Sequence, residues 1–425
     1  MLSIAILKWK DPILGFLTKE FQKLGHQVLT IDLEDGLSVE KICNQLKDFN
    51  PQFCLTNNFY LFDNFASGVE LEKYFAHSKI PLICWHWEAP LCSSIVLRDR
   101  FPRSKPMEDI LFLTADSEHL NFFKERNLST EWLPLAIDSD LFNREISEDL
   151  KNKLSTTLGF VGTPFLSDMH PPVDNFEPLR MWHINHYAIE LTNQLITLFP
   201  NLTHENEMEI IGWYDKFHPE IDRLFSIVYS DPKKFTVALE NFKNNLKTLL
   251  PENAFSHIQY SFGRASYIYS YYQLVAYLNA LQKKNIQIYG GETWRPWILG
   301  YPEKSEIRRL SDDELYAFFA SAKIQFCATK MQFTNLVHDR PLAVLAVGGF
   351  PLTDERGDLP RLFKKNEIAT YQNIEEASEK IDYFLSHESE RQKISAAGRE
   401  KVRSRHTYFH RARELIEIAT RHFDL

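Results

Sequence analysis

Residues 340–354 read RPLAVLAVGGFPLTD, and this stretch shows the pattern of one helix followed by one strand from which the fold is built. Positions 340–347 are almost entirely apolar and have the composition of a buried helix. Gly348 and Gly349 follow, and without a β-carbon they let the chain turn sharply. Phe350 then begins a short apolar run of strand length. The stretch therefore predicts a helix, a tight turn and a buried strand in direct succession.

The same alternation of helices and strands extends to both sides of this stretch. Helical patterns follow Arg264, Ser311, Arg340 and Asn373, and the segment that starts at Asn373 resembles a capping box. The predicted strands of this series cover residues 158–161, 286–289, 324–327, 350–352 and 369–371. Strands that alternate with helices predict a parallel, doubly wound α/β sheet.

A second series of the same kind occupies residues 1–150. Its predicted strands cover residues 4–7, 28–33, 53–55, 81–85 and 110–113. Continuous apolar runs are typical of parallel strands that are covered on both faces. The helical pattern after the first strand ends at Gly25. The sequence thus predicts two Rossmann-like domains, over residues 1–150 and 151–405.

Two segments do not fit this alternation. Residues 177–256 are charged and helical in period, so they predict a helical insertion within the second domain. Residues 406–425 predict one more amphipathic helix, with Tyr408, Ala412 and Leu415 on one face. We expect this last helix to return towards the first domain.

The composition is that of a globular protein with a modest negative charge. Its 425 residues are 44% apolar and 25% charged, and 48 basic and 57 acidic side chains give a formal charge of −9. Since this leaves no broad cationic surface, we expect no nucleic-acid partner. Five cysteines without a CxxC pair favour a reducing compartment. Without a secretory signal or a spanning segment, we expect a soluble, cytoplasmic protein.

Several short motifs carry a family resemblance. In the second half, the stretch 340–354 is followed by Ala397-Gly398-Arg399, His406-Thr407-Tyr408 and Arg411-Ala412. The first half adds Trp85-His86-Trp87-Glu88-Ala89-Pro90 and Leu133-Pro134-Leu135-Ala136-Ile137-Asp138, and Phe160-Val161-Gly162-Thr163 follows. These motifs resemble the CgeB-type, spore maturation protein-like glycosyltransferases. The resemblance implies a GT-B fold, with two Rossmann-like domains and a C-terminal helix that crosses back.

The resemblance also implies transfer of a sugar from a nucleotide-sugar to a hydroxyl of a bacterial glycan, a protein or a small molecule. The second domain would hold the donor. GT-B enzymes usually act without a metal, and the sequence has no histidine pair with metal-ligand spacing, so we expect no metal or other cofactor. Related retaining enzymes carry two carboxylates where this chain has Asn335 and Ala343. The stereochemical outcome, the sugar and the nucleotide therefore stay open.

The candidate donor-binding residues lie at predicted strand ends and helix starts, where amides and cations can meet phosphates. A cation such as Arg340 is disfavoured at a helix start, so its presence indicates an anionic ligand, with a solvated surface arginine as the alternative. Gly348 and Gly349 either approach the donor or simply end a helix. The donor candidates are Gly162, Thr163, Arg264, Gly290, Gly291, Asn335, Arg340, Gly348, Gly349, Thr353 and Asp354.

The candidate catalytic residues follow two predicted strands of the first domain. His86 and Glu88 alternate with Trp85 and Trp87, so either polar side chain could act as the general base towards an acceptor hydroxyl. Asp116, after the next strand, is the second choice. For His86 the alternative is a histidine packed in the core, and for Asp116 it is the cap of the following helix.

Two further functions compete with sugar transfer. A catalytically weak protein that binds a nucleotide-sugar or a glycan would explain Ala343, and a GT-B epimerase would need carboxylates at the donor site. The absence of a Walker loop and of a GxGxxG motif disfavours NTP hydrolysis and dinucleotide redox chemistry. The oligomeric state and peripheral association with a membrane stay open.

Overall fold

The computed structural model describes residues 1–9, 12–33, 37–58, 71–88, 109–162, 273–298 and 308–425, apart from short gaps at 72–73, 76, 126, 292–293, 295–297 and 331–332. The predicted helical insertion lies outside the described residues, and of the helix predicted after Arg264 only the part from residue 273 onwards is described. Two donor candidates, Thr163 and Arg264, lie outside them as well.

The first half of the chain forms a six-stranded parallel sheet. Its strands are β1 (Ser3–Lys8), β2 (Gln27–Asp32), β3 (Phe53–Asn57), β4 (Leu82–His86), β5 (Ile110–Thr114) and β6 (Thr130–Trp132). They lie in the order β2-β1-β3-β4-β5-β6, and every neighbouring pair is parallel. Strands β3, β4 and β5 are buried along their whole length, because a hydrophobic cluster covers each face of the sheet.

Three helices of the first half are α1 (Pro12–Lys23), α2 (Val39–Phe49) and α3 (His119–Lys124). Helix α1 buries Ile13, Leu14, Leu17 and Phe21 on one face. It ends before Gly25, whose φ of 83° lies in the left-handed region that glycine adopts without strain. The Ser38 side chain caps α2 by accepting the Lys41 amide.

The second half forms a five-stranded parallel sheet. Its strands are β7 (Leu158–Val161), β8 (Ile286–Tyr289), β9 (Ile324–Cys327), β10 (Pro351–Asp354) and β11 (Ala369–Tyr371), in the order β11-β10-β9-β7-β8. The described helices of this half are α4 (Glu148–Leu154), α5 (Asp312–Ser321), α6 (Asp339–Ala346), α7 (Leu359–Leu362), α8 (Ile374–Ser386) and α9 (Glu388–Arg405). Residues 273–281 are helical too. Helix α4 spans the domain boundary predicted at residue 150 and packs against α5.

The helix starts of the second half follow the sequence signals closely. Ser311 and Glu314 form a complete capping box at α5. Asn373 caps α8 by accepting the Glu376 amide at 2.9 Å, but the Glu376 carboxylate accepts the Gln372 amide instead of the Asn373 amide. Half of the predicted capping box is therefore present.

The chain passes between the two halves at two places that lie side by side. The first crossing comprises residues 134–138 and the second comprises residues 405–408. The Ile137 amide donates to the His406 carbonyl at 3.1 Å, and the Tyr408 amide donates to the Ile137 carbonyl at 2.9 Å. The chain then continues into helix α10 (Tyr408–Phe423), which packs on α1 and places Leu415 in the core of the first half. This confirms the predicted α/β fold with two Rossmann-like halves and a C-terminal crossover helix.

Among the described residues, no helix is both long enough and apolar enough to cross a membrane.

Candidate functional site

The carboxyl edges of the two sheets meet in a small set of contacts, which we call the cleft contact. It comprises Asp116, Ser117 and Trp132 of the first half and Asn335, Asp358 and Arg361 of the second. The Asn335 amide donates to the Asp116 carboxylate at 3.2 Å, and the Ser117 amide donates to the Asp358 carboxylate at 3.0 Å. Open α/β sheets bind ligands at their carboxyl ends, so the candidate site lies beside this contact.

Two candidates from opposite halves, Asp116 and Asn335, are brought together here. Asp116 is buried, and its carboxylate also accepts the Glu118 amide at 3.0 Å, which caps the turn before α3. The Asn335 side chain donates to the Ser117 hydroxyl at 3.0 Å. Its Oδ1 lies only 2.0 Å from where a β-carbon on Gly357 would sit, so Gly357 leaves the space for it. The geometry therefore gives both candidates a role in joining the halves, and their catalytic and donor roles stay predictions.

Asp358 is the carboxylate that the second half contributes to the cleft contact, and it is buried. Burial raises its pKa, the nearby Asp116 charge adds to this, and the Ser117 amide opposes it. The Arg361 guanidinium contacts Asp358 at 3.2 Å and lies 3.7 Å from the centre of the Trp132 ring. Arg361 thus links a buried anion to an aromatic face of the opposite half.

Arg356 and Asp354 organise the loop that leads from β9 to α6. Asp354 accepts the Thr329 amide at 3.1 Å and pairs with Arg356, which also donates to the Phe333 carbonyl at 2.6 Å. Thr353 is buried in β10, and its hydroxyl lies 3.3 Å from the Asp354 carboxylate. The donor candidates Thr353 and Asp354 therefore support the loop through protein contacts.

Arg340 has the geometry that a donor-binding cation needs. It lies in the first turn of α6, at the carboxyl edge of the second sheet, and its guanidinium carbon is 5.8 Å from the centre of the Phe160 ring. Arg340 is close enough to the end of β9 for its charge to act on the Cys327 thiol. Burial raises the pKa of this thiol to about 12, and the Arg340 charge opposes that rise. In the described part of the chain, no carboxylate lies within hydrogen-bonding distance of this guanidinium. Arg340 is therefore a half-exposed cation at a helix start.

Gly162 and Gly290 lie against each other at the ends of β7 and β8. A β-carbon on Gly290 would come within 1.6 Å of the Gly162 carbonyl oxygen, and that oxygen accepts the Trp294 indole N–H at 2.6 Å. Gly290 and Gly291 have φ values of 136° and 134°, which only glycine adopts without strain. The structure thus brings these three candidates to the carboxyl edge, where the resemblance implies the donor.

Gly348 and Gly349 lie at the other edge of the second sheet. They connect the end of α6 to the start of β10, and a turn that precedes a parallel strand is at its amino edge. Gly348 ends the helix with a φ of 88°, and a β-carbon on Gly349 would come within 2.1 Å of the Phe319 carbonyl oxygen. The prediction that this pair binds the donor is not supported, because both glycines serve the helix end and its packing on α5.

His86 and the tryptophans beside it lie in the core at the end of β4. The His86 ring is fully buried between Phe112 and Phe123, and burial lowers its pKa well below the usual value, with the His119 charge adding to this. Trp85 and Trp87 share the opposite face, as predicted, with ring centres 5.4 Å apart. The geometry gives no support to His86 as a base that touches an acceptor.

Glu88 is the one catalytic candidate that remains partly exposed. Its amide and that of Trp87 both donate to the Asn58 side chain at 3.1 Å. The sequence reasoning missed Asn57 and Asn58, which end β3 at the same edge. Both are buried, Asn58 has a φ of 45°, and within the part of the chain that the structure describes neither Asn57 Oδ1 nor Asn58 Nδ2 has a hydrogen-bond partner. The sequence did contain a signal for them, because the polar run Thr56-Asn57-Asn58 directly follows the predicted apolar strand 53–55.

Within the described ranges, no group of three or more histidine, cysteine, aspartate or glutamate side chains is arranged to hold a metal ion.

The second half of the chain is similar to a known protein family. Residues 272–417 match the model of a family described as glycosyl transferase-like. The matched region contains α6, β10 and the first part of the crossover helix. No curated protein matches the sequence.

Solved structures extend the likeness to the whole chain. A glycosyltransferase from Rickettsia africae ESF-5 is 12% identical, with a TM-score of 0.51 over 99% of this chain and 98% of that one. The T4 phage enzyme BGT in complex with its UDP-glucose substrate is 10% identical, with a TM-score of 0.50 over the full length of both chains. At these identities the likeness establishes the GT-B fold. The family match over residues 272–417 and the fold of the whole chain are both similar to those of glycosyltransferases.

Proposed function

We propose that this protein transfers a sugar from a nucleotide-sugar to a hydroxyl of a glycan, protein or small-molecule acceptor without a metal, in the manner of a CgeB-type enzyme of the cytoplasm. The observation that carries the proposal is Arg340, a half-exposed cation at the start of α6 with no carboxylate partner among the described residues, inside the region matched by the family. The UDP-glucose of the T4 enzyme makes UDP-sugars the first donors to test.

The chemistry requires charge stabilisation on the leaving diphosphate. As the bond between the sugar C1 and the diphosphate oxygen breaks, negative charge builds on the phosphate. Arg340 and the positive end of the α6 dipole both place positive charge at this edge of the sheet. A metal ion is then not needed to neutralise the leaving group.

The acceptor hydroxyl forms the new bond to C1 and must lose its proton. Glu88 is the candidate base best placed for this, because His86 is enclosed by aromatic rings and Asp116 is engaged by backbone amides. At the position where related retaining enzymes carry the second carboxylate, which contacts the donor ribose, α6 has the buried Ala343. This last observation favours the second candidate function, a nucleotide-sugar binding protein with little transfer activity.

Titration calorimetry with UDP tests the donor site. Arg340→Glu should weaken UDP binding ten-fold or more, because it replaces a charge-assisted hydrogen bond of roughly 1.5–3 kcal/mol with repulsion. The matched control is Arg403→Glu, which reverses an exposed arginine of α9 whose partner is Glu400. Equal UDP affinity in both variants and the unchanged protein would remove Arg340 from the site.

Release of UDP from UDP-glucose, with and without candidate acceptors, tests the reaction. Glu88→Gln should slow acceptor-dependent release by roughly 10²–10⁴-fold and leave UDP affinity nearly intact. EDTA should leave the rate unchanged. A rate that EDTA abolishes and Mg²⁺ restores contradicts the metal-free reaction, and UDP binding without any release selects the binding protein.

A further inference from the structure

The two crossings between the halves converge on one buried spot. A parallel bridge joins Ile137 of the first crossing to Thr407 of the second. Both covalent connections that the structure describes between the halves run through this bridge. Any group that fixes the two crossings to each other therefore also fixes the angle between the two sheets.

Arg411 joins both crossings through its guanidinium, which is 2% exposed. Its Nε donates to the Pro134 carbonyl at 2.7 Å and its Nη2 to the Leu135 carbonyl at 3.5 Å, both in the first crossing. Its Nη1 donates to the Arg405 carbonyl of the second crossing at 3.4 Å and to Glu414 at 3.0 Å. Glu414 also balances the charge. A lysine, with one compact ammonium group, cannot reach these separate acceptors at once.

His406 extends the same contact to the second half. Its Nδ1 accepts the remaining Nη2 hydrogen of Arg411 at 3.1 Å, while its Nε2 donates to the Leu362 carbonyl at the end of α7 at 3.1 Å. These two bonds together require the neutral ring with the proton on Nε2. Burial, with the Arg411 charge adding to it, lowers the His406 pKa to about 3, so this form persists at neutral pH. Phe363 packs on the ring, with centres 5.3 Å apart.

We infer that Arg411 and His406 form a staple across the two crossings that holds the two halves at a fixed angle. If the halves hold donor and acceptor as proposed above, the staple also positions the acceptor hydroxyl against the sugar. The angle itself does not depend on that function. The staple is thus a pair of positioning residues outside the cleft.

The distance between the halves, measured by pulsed electron resonance, tests this inference. Spin labels are attached at Lys47→Cys on α2 and Glu379→Cys on α8, two exposed positions on opposite halves. Cys43, which is partly exposed, and Cys92 are first replaced by serine. Arg411→Lys and His406→Phe should each at least double the width of the distance distribution, because each leaves the crossings less firmly joined.

Leu415→Ala is the matched control for lost stability. Leu415 lies on the same helix and is fully buried in the core of the first half. Its truncation should lower stability and leave the distance distribution unchanged. Should Arg411→Lys fail to fold, His406→Phe decides alone, since it keeps a ring against Phe363 and removes the acceptor for Arg411. Distributions of the staple variants that superimpose on that of the unchanged protein would overturn the inference. UDP affinity is measured alongside, so that a failure of the donor site is recognised separately.

Discussion

The two halves touch at the crossings and at the cleft contact, and these two regions use different atoms. At the crossings, Arg411 and His406 bond mainly to backbone carbonyl oxygens in a buried environment. At the cleft contact, the carboxylates of Asp116 and Asp358 accept amides from the opposite half, and the exposed side of Arg361 lies on Trp132.

From this difference we expect the crossings to be fixed and the hydrogen bonds of the cleft contact to be exchangeable. The carbonyls of Pro134, Leu135 and Leu362 belong to buried residues, so breaking their bonds leaves buried polar groups unsatisfied. The carboxylates at the cleft contact are buried too, but they border the candidate site, so we expect that solvent or a ligand hydroxyl can replace the amides that they accept. We therefore expect large effects from changes at the crossings and small ones from changes at the cleft contact.

The largest effect is expected for Arg411→Met. It removes the donors for the Pro134 and Leu135 carbonyls, and we expect the free energy of unfolding to fall by about 3–5 kcal/mol. Urea unfolding followed by circular dichroism measures this loss. Arg403→Met, at an exposed ion pair with Glu400, should cost less than about 1 kcal/mol. A loss of similar size in both variants would mean that the crossings are no firmer than the surface.

A pH-dependent effect is expected for His406. Its pKa is about 3 in the folded protein and near 6.5 when unfolded, so the unfolded chain takes up a proton first as the pH falls. The contribution of the neutral ring is thus fully present above pH 6.5 and is lost between about pH 6.5 and 3. Relative to His406→Gln, the unchanged protein should lose about 3 kcal/mol of stability between pH 7 and pH 4. Parallel stability curves for the two proteins across this range contradict the assignment.

The smallest effect is expected at the cleft contact, for Asp358→Asn. The amide oxygen can still accept the Ser117 amide. The variant also avoids the cost of burying a charged carboxylate, which is the main cause of the raised Asp358 pKa. Because the folded pKa is raised, the carboxylate costs stability as the pH rises through the window above 3.8. The variant should therefore differ from the unchanged protein by less than about 1 kcal/mol at pH 7 and should gain on it as the pH rises. A loss above 3 kcal/mol would place the cleft contact on a par with the crossings.

The sequence predicted the sheets better than the contacts between them. The predicted strands 286–289, 324–327 and 369–371 coincide with β8, β9 and β11. Strands that are covered on both faces are continuously apolar, so their bounds can be read directly from the sequence. The contact between Asp116 and Asn335 joins residues 219 positions apart, and no local pattern encodes such a pairing.

The sequence predicted correctly which edge of a sheet some of the site candidates occupy. Gly162, Gly290 and Arg340 reach the carboxyl edge because each follows a strand or starts a helix. Gly348 and Gly349 precede their strand, and the same rule would have placed them at the amino edge. Alternation separated His86 from the tryptophans correctly, but it could not reveal that both faces of β4 are covered.

The packing of α10 on α1 has a consequence for the order in which the protein folds. Tyr408, Leu415 and Ala419 complete the same hydrophobic core as Ile4 and Ile6, about four hundred positions earlier in the chain. Such distant partners carry a high entropic cost of loop closure, and this slows the step that joins them. During synthesis, the half that leaves the ribosome first must wait with an open apolar face until the last helix arrives. Truncation within α10 should therefore expose the N-terminal half to chaperones and proteases before it affects the second sheet.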